Sequence, residues 1–154
     1  MDIINDHFTS DWTPITSNCT AKHSLVTSSW FYNNTMESTH CSFAGCKFEG
    51  NTNTFGSSSF SNCIFDLVDC TGTANTFENC TFVKTRFTNL AHSQFINCSF
   101  YDCKGALILC GFNDSSLNIS QYFSVLASVD QMITAGIPRE LITRVKKVLA
   151  AIND

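Results

Sequence analysis

Nine cysteines and four histidines are the residues of this 154-residue chain best suited to chemistry. A thiolate can attack a carbonyl or hold a soft metal, and an imidazole can move a proton or ligate zinc. Their spacing supports neither use. The pairs Cys41/Cys46 and Cys98/Cys103 lack the short ligand spacing of zinc motifs. His7, His23, His40 and His92 lie far apart in the chain. His40 adjoins Cys41 as a Cys/His pair would, but the periodicity below turns Cys41 inward and His40 outward, so the two diverge. Aspartates and glutamates occur singly. No phosphate-cradling glycine loop and no Gly-x-Ser-x-Gly elbow is present. The expectation is a chain with no catalytic, cofactor-binding or metal-ligating residue.

The cysteines fit a different pattern. Between Cys41 and Phe112 the phenylalanines fall on a grid: Phe43, Phe48, Phe55, Phe60, Phe65, Phe77, Phe82, Phe87, Phe95, Phe100 and Phe112, with Leu107 in the same series. Most steps are five residues; the exceptions are sevens and one eight. Two residues before most of these positions stands a small residue, among them Cys41, Cys46, Ser58, Cys63, Cys80, Thr85, Ser93, Cys98 and Cys110. A longer beat of 22 links Phe43, Phe65 and Phe87, and also Phe60 and Phe82.

A five-residue period suits neither a helix nor a flat strand, and a fixed period of this kind signals stacked repeats. It fits a square coil with five residues per side, each side sending one large and one small side chain inward. Coils then stack at about 4.8 Å, and Phe60 is expected to lie under Phe82 and Phe100. The sevens and the eight read as corner bulges, and the stretch around Leu90, Ala91 and His92 as a short side or irregular loop. Cysteine in the small position acts as a compact apolar filler.

These residues resemble the pentapeptide-repeat family, whose units centre on Leu or Phe with a small residue two before. The resemblance covers residues 16–119. It implies a mainly β fold, a right-handed four-sided β-helix of about four to five coils. Residues 1–15 are expected to cap its first coil, with Ile3, Ile4, Phe8 and Trp12 folding over it. From 120 to 154 the period turns helical. An apolar stripe from Tyr122 to Ile133 stops at Gly136, and Pro138 opens a second helix carrying Leu141, Val145, Val148, Leu149 and Ile152. This hairpin is expected to cap the last coil and to serve as a dimerisation element.

Composition bounds the task. Only 14% of residues are charged and the formal net charge is −4, a poor match to a basic nucleic-acid surface. No apolar run reaches the length of a membrane span, and the N-terminus lacks the features of a secretory signal. The odd number of cysteines and their inward placing predict free thiols and a reducing compartment, cytoplasmic or, for an effector, the host cytosol. The sequons at Asn18, Asn33, Asn79, Asn97, Asn113 and Asn118 are expected by chance in so Asn- and Thr-rich a chain.

The leading expectation is a non-enzymatic recognition or structural module that binds another protein or a second copy of itself. Trp30 and Tyr32, flanking Phe31, are candidate contact residues, or else pack under the N-terminal segment. The family resemblance supplies two rivals. One is a DNA-mimicking inhibitor of, or protector for, DNA gyrase. That role needs dense acid, yet residues 41–117 hold six carboxylates against four basic groups. The other is the substrate-binding β-helix of a bacterial effector of ubiquitin-ligase type, suggested by FSNCIF, FENCTF and FINCSF. A viral structural part is a further possibility.

Overall fold

The computed structural model describes residues 1–108, 110–113 and 116–117. They form a parallel β-solenoid of about six turns, with no helix among the described residues. One coil consists of Thr52–Gly56, Ser59–Ser61 and Ile64–Asp66. The corresponding segments of successive coils pair in parallel into three seven-stranded sheets, so each coil has three sides. The expected C-terminal hairpin, with Leu141, Val145, Val148, Leu149 and Ile152, lies outside the described residues.

The square coil is corrected by the pairing register. Phe60 pairs with Phe43 below and Phe77 above, and Phe65 with Phe48 and Phe82. A coil therefore closes in seventeen residues, or in eighteen where Phe82 meets Phe100. Two sides span five residues each and the third spans seven. The sevens are this longer side. It is longer because its strand turns two alternate residues inward, such as Met36 and Ser38 in Thr35–Thr39. The beat of 22 is one whole coil plus one short side, so Phe60 lies in a different file from Phe82.

Each corner carries a residue in the left-handed backbone region. In successive coils these are His40, Gly45 and Gly50, then Ser57, Asn62 and Leu67, then Ala74, Asn79 and Lys84. Asparagine and glycine tolerate that region best, which explains the recurring Asn-Cys text. Asn62 turns the corner and its N–H donates to the Glu78 carbonyl at 3.0 Å. Cys63 follows, pointing inward. Its thiol donates to the carbonyls of Ser61 and of Phe43 one coil below. Thr85 makes the same pair of bonds to Val83 and Phe65. The small position is thus a corner cap as well as a filler, and a hydroxyl or a thiol serves equally.

The phenylalanines stack in files. Phe43, Phe60, Phe77 and Phe95 form one, with ring centroids 4.8–4.9 Å apart and nearly parallel planes. Phe31, Phe48, Phe65, Phe82 and Phe100 form a second, at 4.7–5.2 Å. Rings of different files meet edge to face, as Phe60 and Phe65 do. Each such pair adds roughly 0.5–1.5 kcal/mol beyond area burial. Phe112 sits in register with Phe95.

Three expectations change. Residues 1–15 are not a lid: Asp2–Ile4, His7–Thr9 and Pro14–Ile15 are the three sides of a full coil, paired in register with the next. The step from Phe87 to Phe95 holds no irregular loop. Arg86–Ala91 is a bulged strand of the long side, and Leu90 lies inward opposite Gly72 and Leu107. Cys103, left out of the small-position series, is buried there and bonds to the Phe82 and Tyr101 carbonyls.

One core position is poorly matched. Asn53 is fully buried between Met36 and Cys70, and neither its amide oxygen nor its nitrogen finds a hydrogen-bond partner in the protein. An unsatisfied buried polar group costs about 1–3 kcal/mol. Asn53→Leu, similar in volume and apolar, is expected to raise stability by about that amount. Urea denaturation of parent and variant measures it, and a lower midpoint for the variant refutes the expectation.

Candidate interaction surface

The inner files place every reactive thiol out of reach. All nine cysteines are free and buried. Burial pushes Cys70 well above the ordinary thiol value and Cys103 up to about 11. Cys46, Cys63, Cys80 and Cys98 stand one above another at a single corner. Hydrogen bonds between neighbouring thiols push Cys63 and Cys98 up, with burial adding to both, and hold Cys46 and Cys80 below the ordinary thiol value. Enclosure in the solenoid wall keeps all of them from a reactant in solution. His40 is exposed while Cys41 is buried, so that sequence neighbour pair does not meet. His40 instead stacks on His23 of the coil below, with ring centroids 5.2 Å apart. Sequence reading treated these histidines as isolated; only a known coil length brings them together.

The outside consists of three flat faces of different chemistry. The long face is rich in threonine: Thr20, Thr35, Thr39, Thr52, Thr54, Thr71 and Thr73 occupy its strands. It carries an open notch of about 340 Å³ lined by Glu37, Thr39, Thr54, Gly56 and Thr73 among others. The notch lies where Gly56 falls between Thr39 and Thr73 in the sheet register. The second face is mostly small and polar, with Ser42 and Ser59 hydroxyls 3.1 Å apart.

The third face differs. Trp30, Lys47, Ile64, Thr81 and Ser99 form one outward column, and Tyr32, Glu49, Asp66, Val83 and Tyr101 the next. Trp30 and Tyr32 lie on it together, ring centroids 5.4 Å apart, and are half-buried. Lys47 Nζ sits 5.6 Å over the Trp30 ring and 2.9 Å from Glu49 Oε1. Trp30 and Tyr32 therefore pack on neighbouring coils of the solenoid wall, as Pro14 pairs beside Trp30 in the strand below. Ile64, Tyr101 and, at the corner, Leu67 are exposed large hydrophobics on this side. Sequence reading missed all three. They stand 17 or 18 residues from their neighbours in the adjacent coils, and no local pattern marks them.

No protein-family profile matches the chain, and no curated protein matches it. Among solved structures, full-length QnrB1, described as a plasmid-mediated fluoroquinolone resistance protein, is similar over 97% of this chain and 99% of that one, with 9% identity and a TM-score of 0.33. A trypsin-treated R167E form of the same protein covers 87% of this chain and 93% of that one, at 7% identity and a TM-score of 0.27. Likenesses so distant carry no argument about activity. The fold in its own right is a parallel β-solenoid with corner Asn, small Cys and stacked Phe in five-residue units, a structure consistent with a pentapeptide-repeat family.

Proposed function

We propose that the chain is a non-enzymatic recognition or assembly module whose solenoid presents rigid faces to another protein chain. The observation that supports this reading is the uneven surface. Two faces are mostly polar, with Ile4 and Leu25 as single exposed hydrophobics, and the third gathers Trp30, Tyr32, Ile64, Leu67 and Tyr101 on a hydrogen-bonded wall. A stiff wall loses little freedom on binding, which lowers the ordering cost of association. Native mass spectrometry of the purified protein, with identification of co-purifying chains, tests it. A stoichiometric protein partner, self or other, is expected. A turnover activity mapped to described side chains would overturn the reading.

The gyrase-directed alternative asks for a concentrated negative stripe. The outward carboxylates of the described strands are divided instead: Asp2, Glu37 and Asp69 on the long face, Glu78 on the second, Glu49 and Asp66 on the third. A DNA supercoiling assay is accordingly expected to show no inhibition of gyrase and no protection from a quinolone at micromolar protein. Either effect would restore the alternative.

A further inference from the structure

We infer that the third face pairs with the same face of a second copy of this chain, around Ile64 and Leu67. This rests on the recognition reading above and names its partner. The first ground is Leu67. Among the described residues it is the most exposed of the large hydrophobics, at 59%, and it occupies a corner with φ of 54°. The same corner in other coils holds Asn33, Gly50, Lys84 and Asp102. A bulky apolar side chain in the left-handed region is strained, and water gives it no compensation. A residue that suits neither its backbone nor its solvent is suited to something that covers it.

The second ground is charge. The protein carries a net −4, so two copies repel on average. Around Ile64 and Leu67 both signs are present: Lys47 is paired with Glu49, and Asp66 stands below Val83, the chain neighbour of Lys84, with Asp102 at the next corner. A twofold pairing of antiparallel solenoids that sets the Leu67 coil of one copy against the Lys84 coil of the other brings Asp66 beside the second copy's Lys84, twice. Ile64 and Leu67 then meet Thr81, Val83 and the aliphatic stem of that lysine. A self-complementary patch is what an isologous contact requires.

The third ground is size, which sets the strength. Five coils of this face are roughly 24 Å tall and 16 Å wide, or about 400 Å² per copy. That is near half of a standard interface. The pairing is therefore weak and reversible, at the low end of specific interfaces.

Sedimentation velocity from about 10 μM to 1 mM tests this on the full chain. The parent is expected to shift from monomer towards dimer with concentration. Leu67→Asn is expected to weaken the association at least tenfold while its melting temperature stays level or rises, because asparagine suits the corner. A merely structural leucine gives the opposite: unchanged association and a lower melting temperature. Asp66→Lys and Lys84→Asp singly are each expected to weaken the dimer, and the double swap to restore it. A parent that stays monomeric throughout, an association untouched by Leu67→Asn, or a double swap without rescue overturns the inference. A parent that is monomeric yet holds a different protein in native mass spectra leaves the recognition reading standing and removes only this one.

Discussion

Phe82→Asp is expected to leave no folded protein. The Phe82 ring lies between Phe65 at 4.7 Å and Phe100 at 5.0 Å and is fully buried. Phe77, Phe87 and Phe95 close its sides. Removing such a ring costs about 3–5 kcal/mol in transfer and cavity energy. The carboxylate that replaces it has no cation in the file and faces rings on every side, and an unpaired buried charge adds several kcal/mol. The sum matches or exceeds the whole stability of an ordinary domain, about 5–15 kcal/mol. Circular dichroism and a urea titration would show an unfolded or aggregated variant. A soluble variant with a cooperative transition would refute the stacked core.

The second large effect comes from a backbone contact. Gly72 has a φ of 134°, and a Cβ built on it would lie 1.8 Å from the Phe55 carbonyl oxygen of the coil below. Gly105 repeats the arrangement one file along, with its Cβ position 2.0 Å from the Phe87 carbonyl oxygen. At both sites the backbone of one coil fills the space a side chain would need, and the obstructing atom belongs to a sheet and cannot rotate away. Gly72→Ala is expected to cost more than about 3 kcal/mol, combining dihedral strain with a separation of the two coils. Gly56→Ala is the control. Its nearest neighbour is the Ser38 carbonyl oxygen at 3.7 Å, an ordinary contact, and its expected change is within about 0.5–1 kcal/mol of the parent, the scale of a permitted glycine substitution. Equal melting temperatures for Gly72→Ala and parent would show that the coils have slack the structure does not display.

The short sides were plainly written in the chain, and the long side was not. Phe43 to Phe48 and Phe60 to Phe65 are single five-residue steps, each spanning one corner, so their repetition declared stacked coils. From Phe48 to Phe55 the step is seven, and two geometries share that number: an extruded corner, or a longer strand with two inward residues. The inward residues that settle it are Asn53 and Cys70, one polar and one small, which do not look like core among so many phenylalanines. The left-handed corners would have decided the matter, since His40, Gly45, Gly50 and Ser57 follow steps of five, five and seven. The first coil went unread for a similar reason. Ile3 and Phe8 keep a five-residue step, but from Phe8 to Ile15 the step is seven where every later coil has five, so the rhythm is broken at its start. The apolar face was the least legible part. Ile64 and Leu67 acquire neighbours only after the coil length is known, whereas Trp30 and Tyr32 drew notice merely by flanking a phenylalanine.

The seventeen-residue coil also sets how the chain reaches its form. Every sheet pairing described joins a residue to one 16 to 18 places away, so no distant ends must find each other. Closing a loop of that length carries the same modest entropic cost at every turn, and each new turn is rewarded at once by two ring stacks and three short ladders. Assembly of this kind can begin at any adjacent pair of turns and zip outward in both directions. A parallel sheet, ordinarily slow to form because its strands are remote in the chain, here has the locality of a helical protein.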